Sequence, residues 1–194
     1  MNNKLQNIFS FIIELEKLKS ILRKTKVIGT DRYENSAEHS WQVCMLAQLL
    51  IDESPYEVDI VRVIEILLVH DIPEIYVGDQ IVYQHKDNEF INKEREAAHK
   101  AFGLLPELQA IWCLSRWQEY EDRETNEAIF AYAVDRLMPV LLNIYNSGQS
   151  WKENNVTKEK ILKVNSAIGI ALPSVWVYVQ SLINVVAEEH LSVS

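Results

Sequence analysis

Two histidines and two aspartates stand where apolar residues would be expected. His39 lies one turn into a helical segment beside Trp41, Val43 and Leu46. His70 and Asp71 follow directly on the apolar run Ile66-Leu67-Leu68-Val69. Asp135 has Ala128, Ala131, Tyr132, Met138, Pro139 and Leu142 on its own helical face. A carboxylate among apolar neighbours is costly unless it is paired, hydrogen-bonded or bound to a metal. Singly, each residue has a plain structural explanation. A lone helical histidine is more often a hydrogen-bonded core residue than a ligand, Asp71 could cap the next helix, and Asp135 could pair with Arg136 or another arginine. Together they make a coherent set of nitrogen and oxygen donors. Imidazole plus carboxylate suits Mn, Fe, Co, Ni or Zn, and four donors leave open positions on an octahedral ion for water and substrate.

Other chemistries lose support from what the chain lacks. Its five glycines, at 29, 78, 103, 148 and 169, form neither a dinucleotide fingerprint nor a phosphate-cradling loop. There is no nucleophile elbow, no His-Glu-x-x-His and no deaminase zinc signature. Two cysteines, Cys44 and Cys113, exclude a disulfide framework and the cysteine-rich zinc modules. The net charge of -9 disfavours broad binding to nucleic acid or anionic membranes. No segment approaches the roughly 20 uninterrupted apolar residues of a membrane helix. The Ile8–Ile13 run is short, broken by Glu14, Glu16 and Lys17, and lacks signal-peptide flanks. A soluble cytoplasmic protein with no nucleic-acid or membrane partner is the expectation.

The elements that must carry these residues read as helices. At 194 residues one domain is expected over 1–194, and the scarcity of Gly and Pro favours long helices over strands and turns. Periodicity predicts a first helix from about Lys4 to Arg23, then a loop from Thr25 to Asn35. Asn35-Ser36-Ala37-Glu38 reads as a capping signal for a helix to about Asp52. A third helix begins near Glu57 or Asp59 and stops or kinks at His70-Asp71, because Pro73 removes a backbone donor. Gly78 to Asp87 reads as a loop. Helices follow over about 88–102, 106–120, 125–143, 157–172 and 173–189, with Thr125 as a cap. No strand alternation is convincing, so the fold class is all-α, a single helical bundle with a site-bearing core over about 20–145 and C-terminal helices over about 157–190 packing on it.

His39, the His70-Asp71 pair and the distant Asp135 resemble the H…HD…D pattern of the HD-domain phosphohydrolase superfamily. The surroundings extend the resemblance: Arg32-x-Glu34-Asn35-x-Ala37-Glu38-His39-Ser40-Trp41, His70-Asp71-x-Pro73-Glu74 and Gly78-Asp79. They are similar to the branch containing the bacterial 5'-deoxynucleotidases and their eukaryotic relatives, over about residues 5 to 145. The resemblance implies that His39, His70, Asp71 and Asp135 hold one divalent ion (Mn, Co, Fe, Ni, Zn or Mg), and that Asp71 and Glu74 are catalytic. Glu74 would stand beside the attacking water, one helical turn from His70 and Asp71. Arg23 and Arg32 are the implied phosphate contacts, and Asp79 the implied contact to the substrate sugar. A homodimer is usual among such proteins.

The implied reaction removes phosphate from a small phosphomonoester, a (deoxy)nucleoside 5'-monophosphate, by attack of metal-bound water. One departure bears on the sugar. The early arginine of this branch tends to be followed by an aromatic residue that selects deoxyribose, whereas Arg23 is followed by Lys24. Trp41, Tyr33 or Tyr76 could supply stacking instead. The alternatives are an HD hydrolase acting on a nucleoside triphosphate or alarmone, a non-catalytic metal- or nucleotide-binding helical protein, and a two-iron oxygen chemistry that usually employs more histidines. His85 and His99 raise a second-metal reading, but solvated positions explain both better.

Overall fold

The computed structural model describes residues 3–84 and 87–191. Helix starts follow the polar residues that can satisfy first-turn N–H groups. Asn35 caps α2 (Ser36–Leu50) in a full capping box: its side chain accepts from the Glu38 N–H, and the Glu38 carboxylate accepts from the Asn35 N–H. Asp59 caps α3 (Ile60–Val69), and Thr125 caps α7 (Asn126–Tyr145). Helix α5 (Asn88–Phe102) starts on Asp87, and α6 (Glu107–Asp122) follows Pro106. Helix α7 is the central element, packed by α2, α3 and α6. It is also the one helix among the described residues long and apolar enough to cross a membrane, but most of that apolar stretch is core.

The first helix, α1 (Asn3–Glu14), is shorter than its periodicity implied. It gives way to a 3-10 segment over Leu15–Ser20 and then to a strand, β1 (Leu22–Lys26). Antiparallel pairing with β2 (Tyr33–Asn35) aligns Leu22 with Asn35 and Lys26 with Tyr33. The expected loop from Thr25 to Asn35 is therefore mostly hairpin. Alternation is present in β1, but it is written in polar residues: Thr25 points in and is buried, while Lys24 faces out. The inward Thr25 hydroxyl donates to Glu34 of β2 at 3.1 Å. The hairpin is held to the helices by the Gln149 side chain, whose oxygen accepts from the Lys26 N–H at 2.9 Å.

A helix after Asp71, only an alternative in the sequence, is present as a single turn, α4 (Glu74–Val77), while α8 (Gln149–Glu153) was not anticipated. The C-terminal region departs as well. Instead of one helix over 157–172 there are α9 (Lys158–Val164) and α10 (Ile168–Ala171), followed by α11 (Pro173–His190). Asn165 marks the break: its side-chain amide donates to the Ile161 carbonyl at 2.9 Å, competing with the helical ladder. One apolar cluster runs from Val43 of α2 through Leu67, Phe130 and Leu137 to Ile183 and Val186 of α11. A second, with Phe11, Val69, Phe102 and Trp117, lies against the His70–Pro73 turn. Each fully buried side chain of Leu67 or Phe130 size contributes about 1.5–3 kcal/mol, so the turn is clamped from both sides.

Candidate metal centre and active-site cavity

Three parts of the chain bring the polar residues together. His39 comes from α2, His70 and Asp71 from the turn after α3, and Asp135 from the middle of α7. Donor atoms of His39, His70 and Asp135 all lie within 4.8 Å of one another. The Asp135 Oδ1 is 2.9 Å from His39 Nε2 and 3.5 Å from His70 Nε2. Asp71 joins them, with Oδ1 3.2 Å from His70 Nε2 and Oδ2 4.0 Å from His39 Nε2. Around an octahedral ion with bonds of about 2.1 Å, neighbouring donors stand about 3 Å apart. The spacing suits a single small divalent cation.

The state of the imidazoles supports that fit. A carbonyl can only accept, so the 2.7 Å bond from His70 Nδ1 to the Leu67 carbonyl holds a proton on Nδ1 and turns Nε2 toward the cluster, where it can bind an ion on giving up its own proton. That Nε2 is buried and has no hydrogen-bond partner. Asp135 is held from behind: the Tyr120 hydroxyl donates to Oδ2 at 2.7 Å, leaving Oδ1 for the histidines. Pro139, four residues on, has no N–H to give, so the Asp135 carbonyl is left out of the helical ladder.

Burial by itself would keep these groups neutral, and their mutual contacts oppose it. Desolvation disfavours the His70 imidazolium, yet Asp71 and Asp135 outweigh it and raise its pKa to about 9. Burial would likewise raise the Asp135 carboxyl, but the hydrogen bond with His39 and the closeness of the His70 ring carry it well below the usual carboxylate range. Glu74 moves the other way. Burial and the neighbouring Asp71 charge hold its carboxyl well above the ordinary value. The Ser36 hydroxyl fixes Glu74 by donating to Oε2 at 2.6 Å.

Arg23 projects from β1 into a ring of carboxylates. Its guanidinium donates to Asp71 Oδ2 at 3.0 Å and lies 3.5 Å from Asp79, 3.6 Å from Glu34 and 3.9 Å from Glu74. Asp79 is brought there by Gly78, whose φ of 76° lies in the left-handed region that glycine enters freely. Arg23, Asp71, Glu74 and Asp79 share the wall of one cavity of about 560 Å³, within the usual range for a small-molecule site. Arg32 is elsewhere: it pairs with Glu38 on the exposed start of α2 and does not line the cavity.

The stacking candidates are also elsewhere. Trp41 is exposed on α2, Tyr33 donates to Glu153, and Tyr76 donates to Glu14. Tyr83, Tyr120 and Tyr132 line the cavity instead. His99 is exposed, and His85 lies outside the described residues. Sequence reasoning missed Tyr120 and Glu34 as site residues. Glu34 stood inside the Arg32–Trp41 pattern, but nothing in its neighbours signalled that its carboxylate is 2% exposed and 3.6 Å from His39 Nδ1.

The comparisons with known proteins agree with this geometry. A family model described as "HD domain" matches residues 15–176, reaching well beyond the motif-bearing stretch. The chain is 28% identical over 144 residues to the 5'-deoxynucleotidase HDDC2 of Dictyostelium discoideum, covering 71% of this chain and 76% of that protein. It is 26% identical over 138 residues to the human 5'-deoxynucleotidase HDDC2, covering 70% of this chain and 66% of that one. A solved structure from Magnetospirillum magnetotacticum, described as a predicted metal-dependent phosphohydrolase, is 38% identical with a TM-score of 0.91 over 100% of both chains. The donor cluster, the cavity beside it and these likenesses agree: the chain belongs to the HD domain family and is a hydrolase of its metal-dependent phosphohydrolase kind.

Proposed function

We propose that this chain hydrolyses a (deoxy)nucleoside 5'-monophosphate to nucleoside and phosphate, with His39, His70, Asp71 and Asp135 holding one divalent ion. The observation that carries this reading is the convergence of four donor groups at 2.9–4.0 Å, with a buried glutamate and an arginine at the same cavity wall. The names of the HDDC2 relatives point to the same substrate class. The ion would supply Lewis acidity, polarising a phosphoryl oxygen and making a coordinated water more acidic.

The protein's own groups do the rest. Glu74, immobilised by Ser36, is placed to take a proton from a water attacking the phosphorus. Arg23 presents a guanidinium on the same wall, where it can meet charge that grows on the phosphoryl oxygens. Asp79 can accept from a substrate hydroxyl, consistent with a sugar lying beside the phosphate. Lys24, exposed at the cavity edge, gives no flat surface against which a sugar could be sorted, so ribo- and deoxyribonucleotides are both expected to turn over.

The test is phosphate release by metal-stripped protein reloaded with Mn, Co, Mg, Ni or Zn, on matched ribo- and deoxyribonucleoside monophosphates, with Asp71→Ala as control. Release that needs metal and disappears in the control supports the reading. Silence across the panel with metal still bound overturns it.

A further inference from the structure

The proposed phosphate site is poor in uncompensated positive charge. Arg23 already has Glu34, Asp71, Glu74 and Asp79 within 4 Å of its guanidinium. Two further arginines of the cavity wall are not balanced in this way. Arg136, next to Asp135 on α7, lines the cavity, and its Nε is buried with no hydrogen-bond partner. Among the described residues it makes no ion pair with a carboxylate. Its guanidinium lies 5.3 Å from the Tyr132 ring centroid, and that of Arg123 lies 4.6 Å from the same centroid. Arg123 caps α6 with a φ of 54°, a left-handed conformation that non-glycine residues rarely adopt and that turns the chain at this point of the wall.

A third donor joins these two. The Tyr83 hydroxyl oxygen accepts from Trp151 Nε1 at 3.0 Å and from Asn165 Nδ2 at 3.1 Å. With both acceptor positions taken, the proton of that hydroxyl is left to donate, and Tyr83 lines the same cavity. Arg136 Nε and the Tyr83 hydroxyl proton have no acceptor, while Arg123 spends its Nε on the Glu121 carbonyl at 3.2 Å. Two cationic side chains and one free hydroxyl donor, in a chain of net charge -9, are an anion site in composition.

We infer that Arg136, Arg123 and Tyr83 form a second anion subsite, and that the preferred substrate is a phosphomonoester carrying a second anionic group. This rests on the reading of the site as a phosphohydrolase. Water adds to one phosphorus, that ester P–O bond breaks, the alcohol leaves with a proton, and the second anionic group stays intact as an anchor on the arginines. Arg136 and Arg123 are binding residues here and touch no reacting atom.

Two measurements test it, with a nucleoside 3',5'-bisphosphate against the matching 5'-monophosphate. In the first, calorimetric titration of the full chain under chelator compares binding of the two without turnover. The bisphosphate binds at least tenfold more tightly, and Arg136→Gln and Arg123→Gln each remove most of that advantage. Equal binding of the two by the unmodified protein, or an advantage untouched by both variants, overturns the subsite. In the second, phosphate release by the metal-loaded protein shows the same tenfold preference in kcat/KM. Equal kcat/KM for the two substrates overturns the subsite while leaving the hydrolase reading intact. No release from either, with the chelated binding advantage and its loss in the variants retained, sinks the hydrolase reading and leaves the subsite. Circular dichroism of each variant verifies folding, and Arg123, exposed at a helix end, carries the test if Arg136→Gln does not fold.

Discussion

Replacing Tyr120 by Phe removes one oxygen atom and isolates what holds Asp135. The hydroxyl donates to Asp135 Oδ2 at 2.7 Å, and the tyrosine is 9% exposed, so phenylalanine puts an apolar ring edge where the donor was. Burial, and then the Asp135 charge, push the phenol well above its ordinary pKa, so it remains a donor across the working pH range. A buried carboxylate oxygen that loses a charge-assisted bond costs about 1.5–3 kcal/mol. For a domain of this size that corresponds to a drop in Tm of about 3–12 °C in the metal-free protein. The freed carboxylate can also rotate, so Oδ1 is no longer held toward the two histidines. Loss of such an outer hydrogen bond typically weakens metal binding 10- to 100-fold. Thermal denaturation under chelator and competition with a chromophoric chelator read the two effects separately. A Tyr120→Phe protein whose Tm stays within about 1 °C and whose metal affinity stays within about twofold would refute the idea that this hydroxyl orients the cluster.

Further outcomes follow from the same contacts. Glu34→Gln keeps the volume of a buried side chain and the acceptor for Thr25 but deletes the charge beside Arg23 and His39, so metal affinity measured by competition falls about tenfold or more. Arg32→Ala, outside the cavity and paired only at the exposed end of α2, leaves phosphate release unchanged in the assay above; a large loss would place Arg32 in the site after all. Gly169→Ala puts a Cβ 2.7 Å from the Trp176 ring and lowers stability by about 1–3 kcal/mol in urea titration, without changing metal affinity.

The donor residues were legible because their chemistry contradicts their setting. Asp135 on an apolar helix face and His70-Asp71 at the end of an apolar run both stand out without a structure; the Asn35–Glu38 capping signal and Thr125 mark their helices, while the sequence narrows the start of α3 only to Glu57 or Asp59. The hairpin was not legible, because hydrophobic periodicity cannot detect a strand whose inward face is polar. In Leu22–Lys26 the inward positions are Arg23 and Thr25, and what satisfies them is Glu34 from the facing strand, nine residues from Thr25. The same limit explains Arg32 and Arg23. Both flank the loop in sequence, and only the fold of that hairpin sends one into the cavity and leaves the other on the surface.

The hairpin also explains why Arg23 must be backed so heavily. A guanidinium carried into a cavity on a two-stranded ribbon, with its side chain 12% exposed, has lost most of its hydration, and a buried cation persists only if it is paired. Desolvation opposes its charge, and Asp71, Asp79 and Glu74 more than restore it, so it stays protonated. Those same carboxylates neutralise it toward an incoming anion. On the proposed reading, the divalent ion and the arginines Arg136 and Arg123 of the same cavity would then provide the net attraction, with Arg23 acting chiefly to orient. This ordering can be read out, since Coulombic capture weakens with salt while a short oriented contact does so far less. Raising ionic strength should therefore increase KM more steeply in the unmodified protein than in Arg136→Gln, whereas Arg23→Lys should lower kcat and leave the salt dependence of KM in place. Equal salt slopes for the unmodified and Arg136→Gln proteins would return the attracting role to Arg23.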